Sequence, residues 1–170
     1  MQPATLCYPV RNERVLLIRK KRGLGAGKFV GPGGKVEDGE TPREAAVREV
    51  EEEIRVSVTD PTKVGEFEFV FGVRESAALG NSLELRSDGD DTRMFVHVFR
   101  AEEFAGTPEE TAEAVPRWFD FEDVPYDEMW EDDRLWMPHL FSGETFAGRF
   151  RFDAEGETLV EHDLTVGVEF

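Results

Sequence analysis

Hydrophobic and polar residues follow one another in short blocks along this chain, separated by glycine, proline and acidic turns. Near the start, "TLCYPV" and "RVLLIR" flank "RNE", the pattern of strand, turn and strand over residues 5–19. The glycine-rich stretch "GLGAGKFVGPGGK" then predicts a loop. Beyond it the period changes from that of a strand to that of a helix. Ala46, Val50 and Ile54 fall on one face of a helical wheel with Val47 beside them. Glu49, Glu52 and Glu53, spaced i, i+3, i+4, share another face. Thr41 is placed to cap this helix, Pro42 suits its first position, and Glu44 completes a T-x-x-E capping box. One side is predicted to pack on a sheet while the other gathers three carboxylates.

"KVGEFEFVFGV" and "RMFVHVFRAEEF" read as further strands, and "RESAALGNSLELRSDGDD" between them as an extended hairpin or surface loop. "AVPRWFDFEDVP" gives a strand and then a turn. In "YDEMWEDDRLWMPHLFSG", Met129, Leu135, Trp136 and Leu140 recur at helical spacing. The tail "FAGRFRFDAEGETLVEHDLTV" reads as two strands about an Ala-Glu-Gly turn. No internal repeat or linker interrupts the pattern, so residues 1–170 are expected to form a single α/β domain.

Composition narrows the classes. Fourteen Phe and three Trp in 170 residues supply a sizeable core, although 34% of the residues are charged. Cys7 is the single cysteine, which excludes an intrachain disulfide and a thiolate metal cage and suits a reducing interior. The first residues lack a basic stretch followed by an apolar one, and no apolar run approaches membrane-spanning length, so a soluble cytoplasmic protein is expected. The formal net charge of −17 repels nucleic acid polymers and anionic membranes as partners. Five Lys against fifteen Arg, with 37 Asp plus Glu, is a balance suited to salt-rich cytoplasm, where ions screen self-repulsion. Halophilic adaptation is expected, with most of the acid on a solvated surface.

Against that background residues 31–56, "GPGGKVEDGETPREAAVREVEEEIRV", place seven glutamates in 26 positions. Three carboxylates converging on one helix face repel one another unless a cation joins them, and a hard divalent ion with oxygen ligands resolves the repulsion. An ion of the Mg²⁺ type also keeps waters and accepts phosphate oxygens as further ligands. The preceding loop offers what a polyphosphate needs: accessible backbone amides, and Lys20, Lys21, Lys28 and Lys35 nearby. Spacing alone leaves a hydrated acidic helix as the alternative. His97, His139 and His162 show no metal-ligand spacing, and no chemistry is assigned to them.

Gly34, five residues, Glu40, seven residues, then Arg48-Glu49-Val50-Glu51-Glu52-Glu53 match the signature G-x5-E-x7-R-E-U-x-E-E-x-G-U, so the chain resembles the Nudix hydrolase family. Val56 fits the last position, and Arg55 stands where the pattern has Gly. That position suits a left-handed helix end, where a side chain costs about 1 kcal/mol. "KKRGLGAGKFVGPGGKVEDGET", "MFVHVF", "GTPEE", "MWEDDRLWMPHL" and "FAGRFRF" extend the resemblance over most of the chain, to the MutT-homologue branch of oxidised purine nucleoside triphosphatases. Residues at about 73–92 look like an insertion.

The resemblance implies a Nudix fold, a mixed β-sheet sandwiched between α-helices. It also implies Mg²⁺-dependent hydrolysis, with Mn²⁺ as an alternative ion. The nucleoside triphosphate substrate, such as 8-oxo-dGTP, would be cut by water into nucleoside monophosphate and pyrophosphate. By position, Glu49, Glu52, Glu53, Glu113 and the carbonyl of Gly33 would hold metal, Glu52 or Glu53 would act as base, and Arg48 would orient a glutamate. Trp130 and Trp136 would stack on the purine, and Asp132 and Asp133 would read its edge with one carboxyl neutral. Thr5, Lys20, Val30 and Lys35 would complete the contacts. Val30 and Leu24 stand where the resembling enzymes have a base-contacting asparagine and an aromatic residue. Other substrates therefore stay open: ADP-ribose, a dinucleoside polyphosphate, an unmodified nucleotide. So does a Nudix module that binds a nucleotide without cleaving it. A monomer is expected.

Overall fold

A computed structural model describes residues 2–72 and 92–170. The hairpin expected between "KVGEFEFVFGV" and "RMFVHVFRAEEF", and nearly all of the insertion at about 73–92, lie outside the described residues. The chain opens with β1 (Ala4–Arg11) and β2 (Arg14–Lys20), joined by a tight turn. Asn12 and Glu13 both have left-handed backbones there (φ 54° and 61°), the geometry whose twist matches the two flanking strands. β3 (Phe29–Val30) and β4 (Gly33–Lys35) are short and lead into α1 (Pro42–Ile54). Then follow β5 (Ser57–Thr59), β6 (Thr62–Phe71), β7 (Thr92–Ala101), β8 (Glu103–Ala105) and β9 (Ala114–Asp120). α2 (Asp133–Phe141), β10 (Phe146–Phe152) and β11 (Leu159–Val166) complete the order.

The main sheet runs β11-β10-β6-β7-β1-β2-β3, with β4 added to β1 and β9 to β2. β1 is parallel to β7, and β10 to β6; the remaining pairs are antiparallel, so the sheet is mixed as expected. Alternation along the strands builds a core on each face. Leu16 and Ile18 of β2, with Cys7, Phe99 and Ala101, meet Ala46, Val50 and Ile54 of α1. Val15 and Leu17, with Phe67, Val98 and Phe150, meet Trp136, Met137 and Leu140 of α2. Each large side chain buried this way stabilises the fold by about 1.5–3 kcal/mol. The sheet thus lies between two helices. Among the described residues no helix is long and apolar enough to cross a membrane.

α1 begins and ends as its sequence predicts. The Thr41 hydroxyl accepts from the Glu44 amide at 3.1 Å, and the Glu44 carboxylate accepts from the Thr41 amide at 2.9 Å, the reciprocal bonds of a capping box. At the other end Arg55 is left-handed (φ 63°, ψ 34°), the conformation for which the family pattern reserves glycine.

Candidate active site

Lys20 at the end of β2, Gly33, Gly34 and Lys35 of β4, and Glu53 of α1 form a wall shared by two adjoining cavities. One, of about 380 Å³, is polar and adds Arg22, Glu37, Glu49 and Glu113. The other, of about 510 Å³, is mostly apolar. The wall depends on close backbone approach. A β-carbon on Gly33 would sit 2.0 Å from the carbonyl oxygen of Thr5, and one on Gly34 would sit 2.3 Å from a Glu49 carboxylate oxygen. Only glycine lets β4 lie on β1 and beneath α1 at once.

In the polar cleft Glu53 is the buried carboxylate, 5% exposed, and its Oε1 accepts from the Gly33 amide at 2.8 Å. Burial pushes its pKa up to about 8, the Gly33 hydrogen bond opposes this, and Glu49 and Glu113 add to it. Glu49 is also raised, by burial first, although Arg48 beside it favours the anion. Arg48 gathers the rest. Its Nε and Nη2 clasp Glu40 at 2.7 and 2.9 Å, Nη1 reaches Glu49 at 2.7 Å and Glu52 at 3.1 Å, and Nη2 also donates to the Lys35 carbonyl at 3.0 Å. Arg48 thus hydrogen-bonds both Glu49 and Glu52.

The predicted trio on α1 is not gathered as expected. Glu49 and Glu53 face the cleft, whereas Glu52 is exposed, does not line it, and leans one turn back to Arg48. Glu113 also lines the cleft, with Arg22 3.8 Å from its carboxylate. Among the described residues no three acidic, His or Cys side chains stand close enough, as they lie, to grip an ion. The donor set nonetheless suits a hard divalent cation: hard oxygens of Glu49, Glu53 and Glu113, with the Gly33 carbonyl in the same wall.

The apolar cavity is walled by Tyr8, Val30, Phe69, Phe71, Trp130 and Phe152, with Asp132 and Asp133 set into it. Both acids are almost fully buried. Asp133 is pushed well above the usual carboxylate range by burial and by the charge of Asp132. Asp132 is raised by burial too, but the Trp136 indole donates to its Oδ2 at 2.8 Å and favours its anion. The pair therefore presents a neutral carboxyl on Asp133 next to an acceptor on Asp132, one donor and one acceptor for the edge of a planar heterocycle.

Trp136 needs correcting. It is fully buried, packs on Phe67, Tyr8 and Phe146 at ring separations of 5.0, 5.6 and 5.4 Å, and does not line the cavity. It positions Asp132, and Trp130 is the tryptophan at the cavity, edge-on to Phe71 and Phe152. Thr5, Lys20, Val30 and Lys35 all line this cavity, and the buried Thr5 hydroxyl has no hydrogen-bond partner there. Of the loop cations, Lys21 pairs with Glu110 at 2.6 Å and Lys28 lies over the Trp130 ring at 5.3 Å, which leaves Lys20 and Lys35 facing both cavities. His97 sits within β7, as expected of a packed residue.

Sequence reasoning missed Tyr8, Phe69, Phe71 and Phe152 of the apolar wall and Arg22 of the cleft. The alternation in "EFEFVF" puts Phe67, Phe69 and Phe71 on one face and was the available signal.

Comparison with known proteins agrees with this geometry. The family model described as NUDIX domain matches residues 1–140. The oxidized purine nucleoside triphosphate hydrolase of Danio rerio is 41% identical over 160 residues, covering 94% of this chain and 92% of that protein. Its Mus musculus counterpart is 38% identical with the same coverage. Among solved structures, a MutT protein of Bacillus halodurans superposes with a TM-score of 0.79 at 26% identity, covering 96% of this chain and 97% of the other.

Proposed function

This chain belongs to the NUDIX family, and on that premise we propose that it is a Mg²⁺-dependent pyrophosphohydrolase acting on purine nucleoside triphosphates, oxidised purines such as 8-oxo-dGTP among them. The observation that carries the reading is the shared wall of Lys20, Gly33, Gly34, Lys35 and Glu53. It lets one ligand place a flat base in the apolar cavity and its phosphates in the polar cleft. Trp130 supplies a stacking surface, and the Asp132–Asp133 pair supplies a donor and an acceptor for the purine edge. Lys20, Lys35 and Arg22 oppose the phosphate charge.

Glu49, Glu53, Glu113 and the Gly33 carbonyl would hold the divalent cation. When bound, Mg²⁺ or Mn²⁺ offsets charge developing on the phosphates and acidifies the attacking water. Of the two candidate bases, Glu53 is the one buried in the cleft beside Gly33, whereas Glu52, drawn to Arg48, stays at the rim. Arg48 binds Glu40, Glu49 and Glu52 together and keeps the Glu49 side chain turned to the cleft. The products are nucleoside monophosphate and pyrophosphate, a housekeeping reaction for the nucleotide pool of the cytoplasm, carried out by a single domain working as a monomer.

Incubation with 8-oxo-dGTP, dGTP and ADP-ribose in Mg²⁺ tests this. The assay belongs in concentrated salt, since a net charge of −17 destabilises a compact fold in dilute buffer. Release of 8-oxo-dGMP with pyrophosphate supports the reading. Inert 8-oxo-dGTP beside rapidly cleaved ADP-ribose rejects it.

A further inference from the structure

The last carbonyls of an α-helix have no donor within the helix. At the end of α1 the segment 106–113, between β8 and β9, supplies two donors from more than fifty positions away. The Thr111 hydroxyl donates to the Glu53 carbonyl at 2.7 Å, and the Glu109 amide donates to the Ile54 carbonyl at 2.9 Å. The Thr111 hydroxyl also accepts from the Glu113 amide at 3.2 Å. Thr111 N–H donates to the Ala114 carbonyl at 3.0 Å, which closes a turn around Glu113, and the Glu113 carbonyl in turn accepts from Lys21 N–H at 3.0 Å. One hydroxyl therefore joins the backbone of Glu53 to the backbone of Glu113. Both residues line the polar cleft, and the charge of Glu113 acts on the Glu53 carboxylate. Among the described residues no other hydrogen bond links the two.

From this geometry we propose that Thr111 is a positioning residue that sets the spacing of Glu53 and Glu113 and so the affinity of the cleft for a divalent cation. It does not touch the ion. The proposal rests on the reading of the cleft as the metal site. Thr111→Val keeps the shape but removes both bonds, freeing the Glu113 turn to move relative to α1. Thr111→Ser keeps both.

The test is Mn²⁺ binding by calorimetry in the absence of nucleotide, together with the Mg²⁺ concentration that half-saturates hydrolysis. It compares the wild type with Thr111→Val, Thr111→Ser and Glu53→Gln. Loss of a partner that orients a metal-binding group weakens metal affinity by about 10- to 100-fold. Thr111→Val is expected to show that loss, with the half-saturating Mg²⁺ rising by the same factor and kcat at saturating metal changing far less. Thr111→Ser is expected to restore the affinity. If Thr111→Val fails to fold, amide exchange at Glu113 of the wild type decides: Mg²⁺ slows it if the clamp couples to the ion, and unchanged exchange overturns the proposal. Unaltered Mn²⁺ affinity in a folded Thr111→Val also overturns it, even with a lowered Tm, since the turn is then only a helix cap. Wild-type Mn²⁺ affinity in Glu53→Gln would instead refute the metal site itself.

Discussion

On one side of Lys20 and Glu53 the wall is a stack of aromatic rings; on the other it is a net of charges. Phe71 and Phe152 stack at 5.7 Å, Trp130 sits edge-on to both, and Trp136 fixes Asp132 from beneath. Ring packing and one buried hydrogen bond define the shape of that cavity. The cleft beyond Glu53 is built differently. Arg48 occupies Glu40, Glu49 and Glu52, Arg22 lies near Glu113, and Glu53 lowers its own charge by holding a proton. As they lie, these carboxylates do not converge on one point; on the proposed reading a divalent cation draws them together. The apolar cavity is defined by packing, whereas the cleft is defined by charge, and on the proposed reading a cation completes it.

Breaking one side should therefore leave the other intact. The largest effect is expected from Glu53→Gln, which removes a carboxyl group able to take up and release a proton, with little change in volume. Turnover should fall by about 10²- to 10⁴-fold while nucleotide affinity, measured by equilibrium binding, changes little. Asp133→Ala breaks the other side. It removes the donor of the acid pair and should cost roughly 1–3 kcal/mol in kcat/KM, carried mainly by KM. Asp133→Asn, which keeps an N–H donor, should lose less than Asp132→Asn, and the reverse order would reassign the proton within the pair.

A smaller effect follows from the proton on Glu53. Its pKa is raised from the ordinary 4.5 to about 8, so the folded chain binds this proton more tightly than the unfolded chain does. The stabilisation is complete below about pH 4.5 and is lost as pH rises through about 8. In EDTA, Tm should decline across that window by several degrees, on the order of 5 °C. Glu53→Gln should flatten that slope, and so should Mg²⁺. The smallest effect is expected at Arg55, outside both cavities. Arg55→Gly relieves the left-handed strain and should add about 0.5–1 kcal/mol of stability with kcat and KM unchanged.

Much of this frame was legible in the chain. The capping box at Thr41, the apolar stripe Ala46–Val50–Ile54 and the strand alternation are local patterns, and local hydrogen bonding and burial enforce them. The left-handed Arg55 was legible from the spacing of the signature. Glu52 was not, because a helical wheel fixes the face of a residue but not the cation that captures it, and Arg48 one turn away does so. Trp130 and Trp136 both belong to a stretch of helical spacing. Which of them lines the cavity depends on α2 starting only at Asp133 and on Tyr8, Phe67 and Phe146 arriving from distant strands. The Thr111 bridge joins residues far apart in sequence through one hydroxyl, and nothing in the linear pattern announces it.

On the proposed reading the acidic cleft beside α1 takes a divalent cation. Crystals of the protein soaked in Mn²⁺ and measured at an anomalous-scattering wavelength test it directly. The account predicts a peak among the carboxylates of Glu49, Glu53 and Glu113 and the carbonyl of Gly33. A fully soaked crystal in which those side chains point apart into solvent with no peak between them would contradict it.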